Sequence, residues 1–437
     1  MNPQTEYRAF LALDWAEEKH AWALVGADST KQKPLLGTVE NSPEAIQKWV
    51  QELDRRCCGP IAVAVEQQRG PLVITLLEYP QLVIYPIHGA SLANYRKSRS
   101  PSGAKSDPGD AAMLVQFLRE RIADLKPVRC LDPETTQLLK LVKERRHWVD
   151  EKTALHLRLK DVLKAYFPQM LSWFDDLTTP MAAAWLKRWP TLWALKTARP
   201  ATLRKFFNEH NCRSEELIEK RLAGIAAAVP ATSNAAVLES HQLVSQCLLE
   251  VLVPVRANIA RLDKAIERVA EKHPDFIVVD SFPGAGPALV PRILAVLGSV
   301  RDQIESAYQL QCYSGIAPVS ESSGQQEWVH FRWVCSKFLR QTFHEWAGHT
   351  IGHCSWAREF YQSLRDKCKD HHAAVRALAF KWIRILYRCW QTHTPYDDSL
   401  YVAARARRRQ SPRNPQTLPT HLWKKEAGFS KLAPLTS

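Results

Sequence analysis

The sequence predicts an α/β domain over residues 1–130 and a long helical coiled-coil arm over 131–272, with a helical insertion at about 170–234. A mostly α-helical domain follows over 273–400, then a basic tail over 401–437. Three observations carry this reading. The first stretch holds short apolar runs of strand length, separated by charged turns and helix caps. Two later stretches keep helical apolar spacing far beyond the length of an ordinary helix. From about Ser336 to Trp390 the pattern is helical again.

At 437 residues the chain has room for two or three domains with real cores. Lys and Arg number 59 against 45 Asp and Glu, for a net charge of +14 and a pI near 9.3. That balance points to a polyanionic partner, most simply nucleic acid. The ten cysteines are scattered, with Cys57-Cys58 as the close pair, which excludes a disulfide scaffold and suits a reducing cytosol. No apolar run approaches the ~18 residues of a membrane span. A strand is reached by about Phe10, leaving no room for a signal peptide.

Phe10-Leu11-Ala12-Leu13-Asp14 is an apolar run that ends in an acid. Ala21-Trp22-Ala23-Leu24-Val25 follows after the charged turn Glu17-Glu18-Lys19, so the two predict a hairpin. Leu35–Val39 supplies a third strand. Ser42 is placed to cap a helix with Pro43 at its first position, running to about Arg56. Ile61–Val65 is continuously apolar, the mark of a strand buried on both faces, and it closes in Glu66. A second helix begins near Pro71, and Gln81–Pro86 gives a fifth strand. This order of elements is that of an RNase H or RuvC-like fold.

Asp14 and Glu66 each close a buried strand, and in a mixed sheet such ends lie side by side where loops hold ligands. Asp107 and Asp110 stand where a loop becomes a helix, with Asp107 as N-cap and Pro108 in the first turn. An i,i+3 pair shares a helix face. Four converging carboxylates repel unless divalent metal neutralises them, and two hard cations about 4 Å apart serve phosphodiester chemistry. The predicted metal site is therefore Asp14, Glu66, Asp107 and Asp110 around Mg²⁺. Between the fifth strand and Asp107, a basic loop with Arg96, Lys97, Arg99 and Lys105 is placed to hold a phosphate backbone.

Asp132-Pro133-Glu134 starts a long helix that runs to about Phe167. A second spans about Ala235 to Lys272, with Pro254 as the point of a kink. Arg145 and Lys152 interrupt the apolar face of the first, as polar breaks that set register. Between the two, Trp173, Trp185, Trp189 and Trp193 suggest a small core of the insertion's own.

Pro283-Gly284-Ala285-Gly286-Pro287 enters an apolar helix, either as a helix-hairpin-helix that meets a phosphate or as a plain helix–turn–helix packing. A polar, serine-bearing loop carries Ser320, Ser322 and Ser323 before Gly324. Arg332, Lys337 and Arg340 follow and could hold a phosphate beside a serine hydroxyl. His349 and His353 have the i,i+4 spacing of a zinc pair, but Glu345 is misplaced for such a site and a packed helix is the better reading. The tail Arg405–Arg409 is predicted disordered until bound.

Together these residues resemble the insertion-sequence-110 family, the DEDD transposases of bacterial mobile elements, over nearly the whole chain to about residue 400. One signature is Leu13-Asp14-Trp15, Val65-Glu66-Gln67 and Ser106-Asp107-Pro108-Gly109-Asp110-Ala111. The other is Pro283-Gly284-Ala285-Gly286-Pro287, then Gly315-Ile316-Ala317-Pro318 with Ser322-Ser323-Gly324 downstream. The chain departs from the family at Glu66-Gln67-Gln68-Arg69-Gly70, where Glu-x-Thr-Gly is usual, and in its longer insertion.

The resemblance implies a RuvC-like domain joined by a coiled coil to a transposase domain with a nucleophilic serine. That serine would be Ser323, or else Ser322. It further implies recombination of donor and target DNA in the bacterial cytoplasm, guided by a bridge RNA made from the element itself. Strand exchange needs at least two active sites, hence a dimer or tetramer. Two rival functions fit fewer of the residues: a RuvC-type nuclease that uses water and leaves Ser323 idle, and a nucleic-acid-binding protein without activity.

Overall fold

In a computed structural model the described residues are 7–28, 33–67, 70–99, 107–128, 131–301, 303–324, 326–399 and 402–403. The chain divides into two compact units, Met1–Cys130 and Leu131–Ser437.

The first unit is built on five strands: β1 (Ala9–Asp14), β2 (Lys19–Gly26), β3 (Leu35–Glu40), β4 (Ile61–Val65) and β5 (Leu82–Pro86). Helix α1 (Pro43–Cys57) precedes β4, α2 (Pro71–Leu77) follows it, and α3 (Gly89–Arg99) and α4 (Asp107–Arg121) come after β5. The strand order is β3-β2-β1-β4-β5, with β1 antiparallel to β2 and parallel to β4.

The two faces of this sheet differ in side-chain size. Leu11, Leu13, Ile61, Val63 and Val65 meet Trp49, Val50 and Leu53 of α1 and Leu72 and Leu76 of α2. The alternate positions are small: Ala12, Ala23, Ala62 and Ala64 face Ala111, Leu114, Val115 and Leu118 of α4. Alanine on the strands lets a helix lie close to the sheet, so α4 packs across β1, β2 and β4. Every residue of β4 is buried, as its unbroken apolar run predicts. Ser42 caps α1 through its hydroxyl, which accepts from Ala45 N–H at 3.3 Å.

One expectation fails here. The part of the predicted basic loop that holds Arg96, Lys97 and Arg99 is the end of helix α3. Its apolar pattern is faint, with Leu92 its buried residue, so little in the sequence marks it as helical.

The second unit begins with α5 (Pro133–Tyr166). Short helices α6 (Met170–Trp173), α7 (Pro180–Arg188), α8 (Leu192–Lys196), α9 (Pro200–Glu209) and α10 (Glu215–Ala227) lead to α11 (Ala235–Ala270). Helices α5 and α11 run antiparallel: Tyr166 meets Ser245 at 2.8 Å near one end, and Arg145 pairs with Asp263 further along. Helix α11 continues unbroken through Pro254, which lies on its exposed side where water can take the carbonyl the proline leaves unpaired. By length and hydropathy α11 would also suit a membrane span, but Leu248, Leu249, Leu252 and Val255 are buried in the core it shares with α5.

The insertion has no separate core. Trp185 and Trp189 belong to the same apolar cluster as Leu155, Leu159 and Leu163 of α5, so the short helices cap the tip of the pair. Trp193 is exposed.

At the base, α12 (Phe276–Asp280), α13 (Gly286–Val300) and α14 (Ala307–Tyr313) precede a hairpin of β6 (Val319–Ser323) and β7 (Gln326–His330). Helices α15 (Lys337–His353), α16 (Ser355–Arg365) and α17 (His371–Gln391) complete the unit. Their core is aromatic, with Trp346, Trp356, Trp382 and Phe343 fully buried, and it takes in Leu138, Val142, Ile266 and Ala270 of the long pair. The glycine turn packs directly on α15. At φ +69° Gly284 stands where an added Cβ would lie 2.9 Å from the His349 carbonyl carbon, and Trp346 Nε1–H donates to Pro283 O at 3.2 Å.

Asp275 is wholly buried in this base. Arg301 pairs with it, Trp390 Nε1–H donates to it at 3.1 Å, and its own N–H donates to His273 Nδ1 at 3.1 Å. With Nδ1 accepting, His273 carries its proton on Nε2, facing the Thr135 hydroxyl at 3.2 Å.

Candidate active site

The parallel pairing of β1 with β4 matches Leu13 with Val65, so the next residue on each strand is Asp14 and Glu66. Neighbouring strands lie about 4.8 Å apart, which sets these two acids side by side at one edge. By the alternation of the pleat, Asp14 falls on the Ala12 side, the face that α4 covers. Asp14 is half-buried and Glu66 is exposed.

Helix α4 opens with Asp107 and brings Asp110 one turn further in. Position 107 shares helical spacing with Ala111 and Leu114, which pack on the sheet. The Asp107 side chain, like Lys105 and the tail Arg405–Arg409, lies outside the described residues. Asp110 is buried and pairs with the Arg96 guanidinium of α3 at 2.7 Å. Arg99 pairs with Glu120, to which Tyr95 O–H also donates at 2.9 Å. Burial first, and then the Glu120 carboxylate, push the Tyr95 phenol up to about 12. Two of the predicted phosphate-binding cations thus anchor α3 to α4, whereas Lys97 is exposed. Glu120, invisible as a functional position in the sequence, joins the two helices.

Among the described residues no three His, Cys, Asp or Glu side chains are gathered closely enough to hold an ion. Asp14, Glu66, Asp107 and Asp110 are all hard oxygen donors, the type that Mg²⁺ selects. The Arg96 guanidinium already neutralises the buried Asp110 carboxylate, so a metal ion there would share or displace that partner. In donor chemistry the residues present fit the ion.

The predicted serine loop is instead a hairpin. Ser323 and Gln326 form its last pair, so Ser323 stands at the tip, followed by Gly324 at φ +60°. Positive φ is what a two-residue turn of the primed type demands. Ser322 is one step back and points to the opposite face. Both serines are exposed, and among the described residues the Ser323 hydroxyl has no hydrogen-bond partner. The root of the hairpin is held firmly. Arg332 donates to Ala317 O at 3.1 Å and Pro318 O at 3.2 Å, and Arg340 donates to Arg332 O at 3.1 Å. Arg332 therefore serves the fold, while Lys337 and Arg340 line a cleft with Phe331, His344, His372 and Arg376. Sequence reading missed His344 in this role. Burial first, then neighbouring His372 and Arg376, hold its imidazole below the usual value of 6.5. The histidines His349 and His353 are exposed on α15, where the His353 ring meets the His349 carbonyl at 3.2 Å.

Two family models match the chain. One, described as a transposase, covers residues 11–168, and one described as the transposase IS116/IS110/IS902 family covers residues 278–362. The first span contains all four acids and the second contains Ser323. A Streptomyces coelicolor mini-circle protein, named as a transposase for IS117, is 29% identical over 403 residues, covering 89% of this chain and 95% of that one. A 42 kDa protein of insertion element IS900 from Mycobacterium paratuberculosis is 25% identical over 90% of this chain and 98% of its own length. A 43.6 kDa protein of insertion element IS110 from Streptomyces coelicolor is 23% identical, covering 90% and 96%.

Proposed function

Because the chain belongs to the IS110 family of transposases, the enzymes that cut and rejoin DNA for a mobile element, we propose that it works as an RNA-guided recombinase whose nucleophile is Ser323. The observation that carries this reading is the placement of Ser323 at the tip of an exposed hairpin with a fastened root. A serine there is free to reach a phosphorus that other residues hold. In this reading the metal would be held by Asp14 and Glu66, at the adjoining ends of β1 and β4, with Asp107 and Asp110 at the start of α4.

Bound at the four acids, Mg²⁺ would polarise the scissile phosphate and stabilise the departing oxygen. The chain's own residues do the rest. Ser323 Oγ attacks phosphorus, an Oγ–P bond forms, and the P–O bond to the departing strand breaks. The serine proton leaves to a base and the departing oxygen becomes a hydroxyl. A hydroxyl of the incoming strand then reverses the step, so the bond energy is kept for rejoining. Serine is a weak nucleophile at its free pKa and needs this activated setting.

Guide RNA would select the donor and target by base pairing, with the protein holding backbone and shape. The net charge of +14 supports so polyanionic a set of partners. Strand exchange calls for a dimer or tetramer. Leu243, Cys247 and Val251 are exposed on one face of α11 and support association of the α5–α11 pairs as coiled coils.

The test is a denaturing gel with labelled DNA, Mg²⁺ and guide RNA. The native chain should give a protein–DNA band that protease removes, and Ser323→Ala should give none while still binding both nucleic acids. Cleavage without that band, unchanged in Ser323→Ala, would establish the water-using nuclease instead. Loss of the band in Ser322→Ala alone would move the nucleophile back one residue.

A further inference from the structure

We propose that the cleft between the starts of α15 and α17 clamps one phosphodiester of an unpaired DNA strand, with the adjacent base stacked on Trp333. The proposal rests on the reading of Ser323 as the residue that attacks DNA. The cleft measures about 320 Å³, the lower end of the range for sites that take a small organic group. Lys337, Arg340, His344, His372 and Arg376 line it around Phe331, and no carboxylate does.

The fixed cations among them, Lys337, Arg340 and Arg376, are held together against their mutual repulsion. The guanidinium carbons of Arg340 and Arg376 lie 4.6 and 5.3 Å from the centre of the Phe331 ring, so one aromatic ring holds two like charges. The His344 and His372 rings are 5.4 Å apart. The carboxylates nearby are engaged elsewhere. Glu345 accepts from Arg292 at 2.5 Å and from Gln341 at 2.6 Å, and Asp370 caps α17 through Ala373 N–H at 2.7 Å. A phosphate is the group that would satisfy the cations that remain.

Trp333 selects the form of the strand. It is 78% exposed and its ring lies 5.0 Å from that of Phe331, so it borders the cleft yet contributes little to the core. Exposed tryptophan beside cations is the arrangement that holds unpaired bases, whose faces are free to stack. In a duplex those faces are covered. Position completes the argument. Phe331 directly follows β7, and the four steps from Val319 to Ser323 span roughly 14 Å. A strand clamped beside Phe331 is therefore within about 14 Å of the hairpin tip along the ribbon, a reach of a few nucleotides.

The test is fluorescence anisotropy with the full chain and a short labelled DNA of mixed sequence, offered as single strand, as duplex and as the RNA equivalent. Binding is read in Ser323→Ala, which forms no adduct. Failure of the serine chemistry therefore leaves the assay intact, and failure of the clamp leaves the adduct at saturating DNA. Lys337→Gln and Arg376→Gln should each weaken single-stranded DNA binding about tenfold and lower its salt slope by about one. Trp333→Ala should weaken it about tenfold at unchanged slope, with Trp333→Phe close to native. Lys337 and Trp333 are exposed, so thermal midpoints should hold in those variants even where Arg376→Gln lowers its own. Native-like binding by Lys337→Gln and Trp333→Ala would overturn the proposal. So would an equal loss for duplex on removing Trp333, or a loss confined to RNA.

Discussion

The two places proposed to bear the chemistry are built on opposite plans. Asp14 and Glu66 extend strands of which β4 is buried at every residue, between α1 and α2 on one face and α4 on the other. Ser323 ends the first strand of a two-stranded ribbon, and that strand is exposed from Ser320 onward. The first is carried by a closely packed sheet edge. The second is fixed at its root by Arg332 and Arg340 and left open at its tip. An isolated ribbon is marginal by itself, so the tip keeps the freedom to approach a phosphate that the sheet edge cannot.

Removing an acid from the packed edge should give the largest effect. Asp14→Asn is expected to lower strand exchange by about 10²–10³-fold or more, with RNA binding and the melting temperature near native. Gel-based recombination beside a thermal melt checks both halves, and retained activity would separate the sheet edge from the reaction. Next comes stability. Leu11→Ala opens a cavity in a fully buried layer and should cost about 2–5 kcal/mol. Trp328→Ala, on the exposed ribbon, should stay within about 0.5 kcal/mol. Denaturant unfolding reads the contrast, and similar losses at both positions would end the comparison.

The smallest expected effect concerns acid. Burial outweighs the pull of Asp275 and Asp132 and holds the His273 pKa below 6.5, so the ring is neutral in the folded chain. The unfolded chain takes up that proton first as pH falls. Stability is therefore fully present above 6.5 and declines below it. His273→Asn keeps an acceptor for the Asp275 N–H and should flatten part of that decline. An unchanged profile between native and variant would remove His273 from the acid response.

Much of the first plan is legible in the amino acids and little of the second. The continuous run Ile61–Val65 and the Ser42-Pro43 cap announce their elements, because burial on two faces and an orphan N–H each demand particular residues. The β6–β7 ribbon buries almost nothing, so Ser320, Ser322 and Ser323 carry no alternating pattern and look like a loop. Helix α3 hides for the same reason: Arg96 and Arg99 hold it by ion pairs to α4, which spacing along the chain cannot reveal. The insertion's tryptophans look self-sufficient until Leu155 and Leu159, distant in sequence, are found in their cluster.

The antiparallel course of α5 and α11 has a geometric corollary. The chain leaves the base along one helix and returns to it along the other, so the pair behaves as a ruler closed at its far end. Taking one heptad from each helix at matched positions would bring the tip nearer by roughly 10 Å, at 1.5 Å per residue. The aromatic base would keep its entry and exit points unchanged. Length in this molecule is therefore a quantity that can vary without disturbing the surfaces on which the chemistry depends.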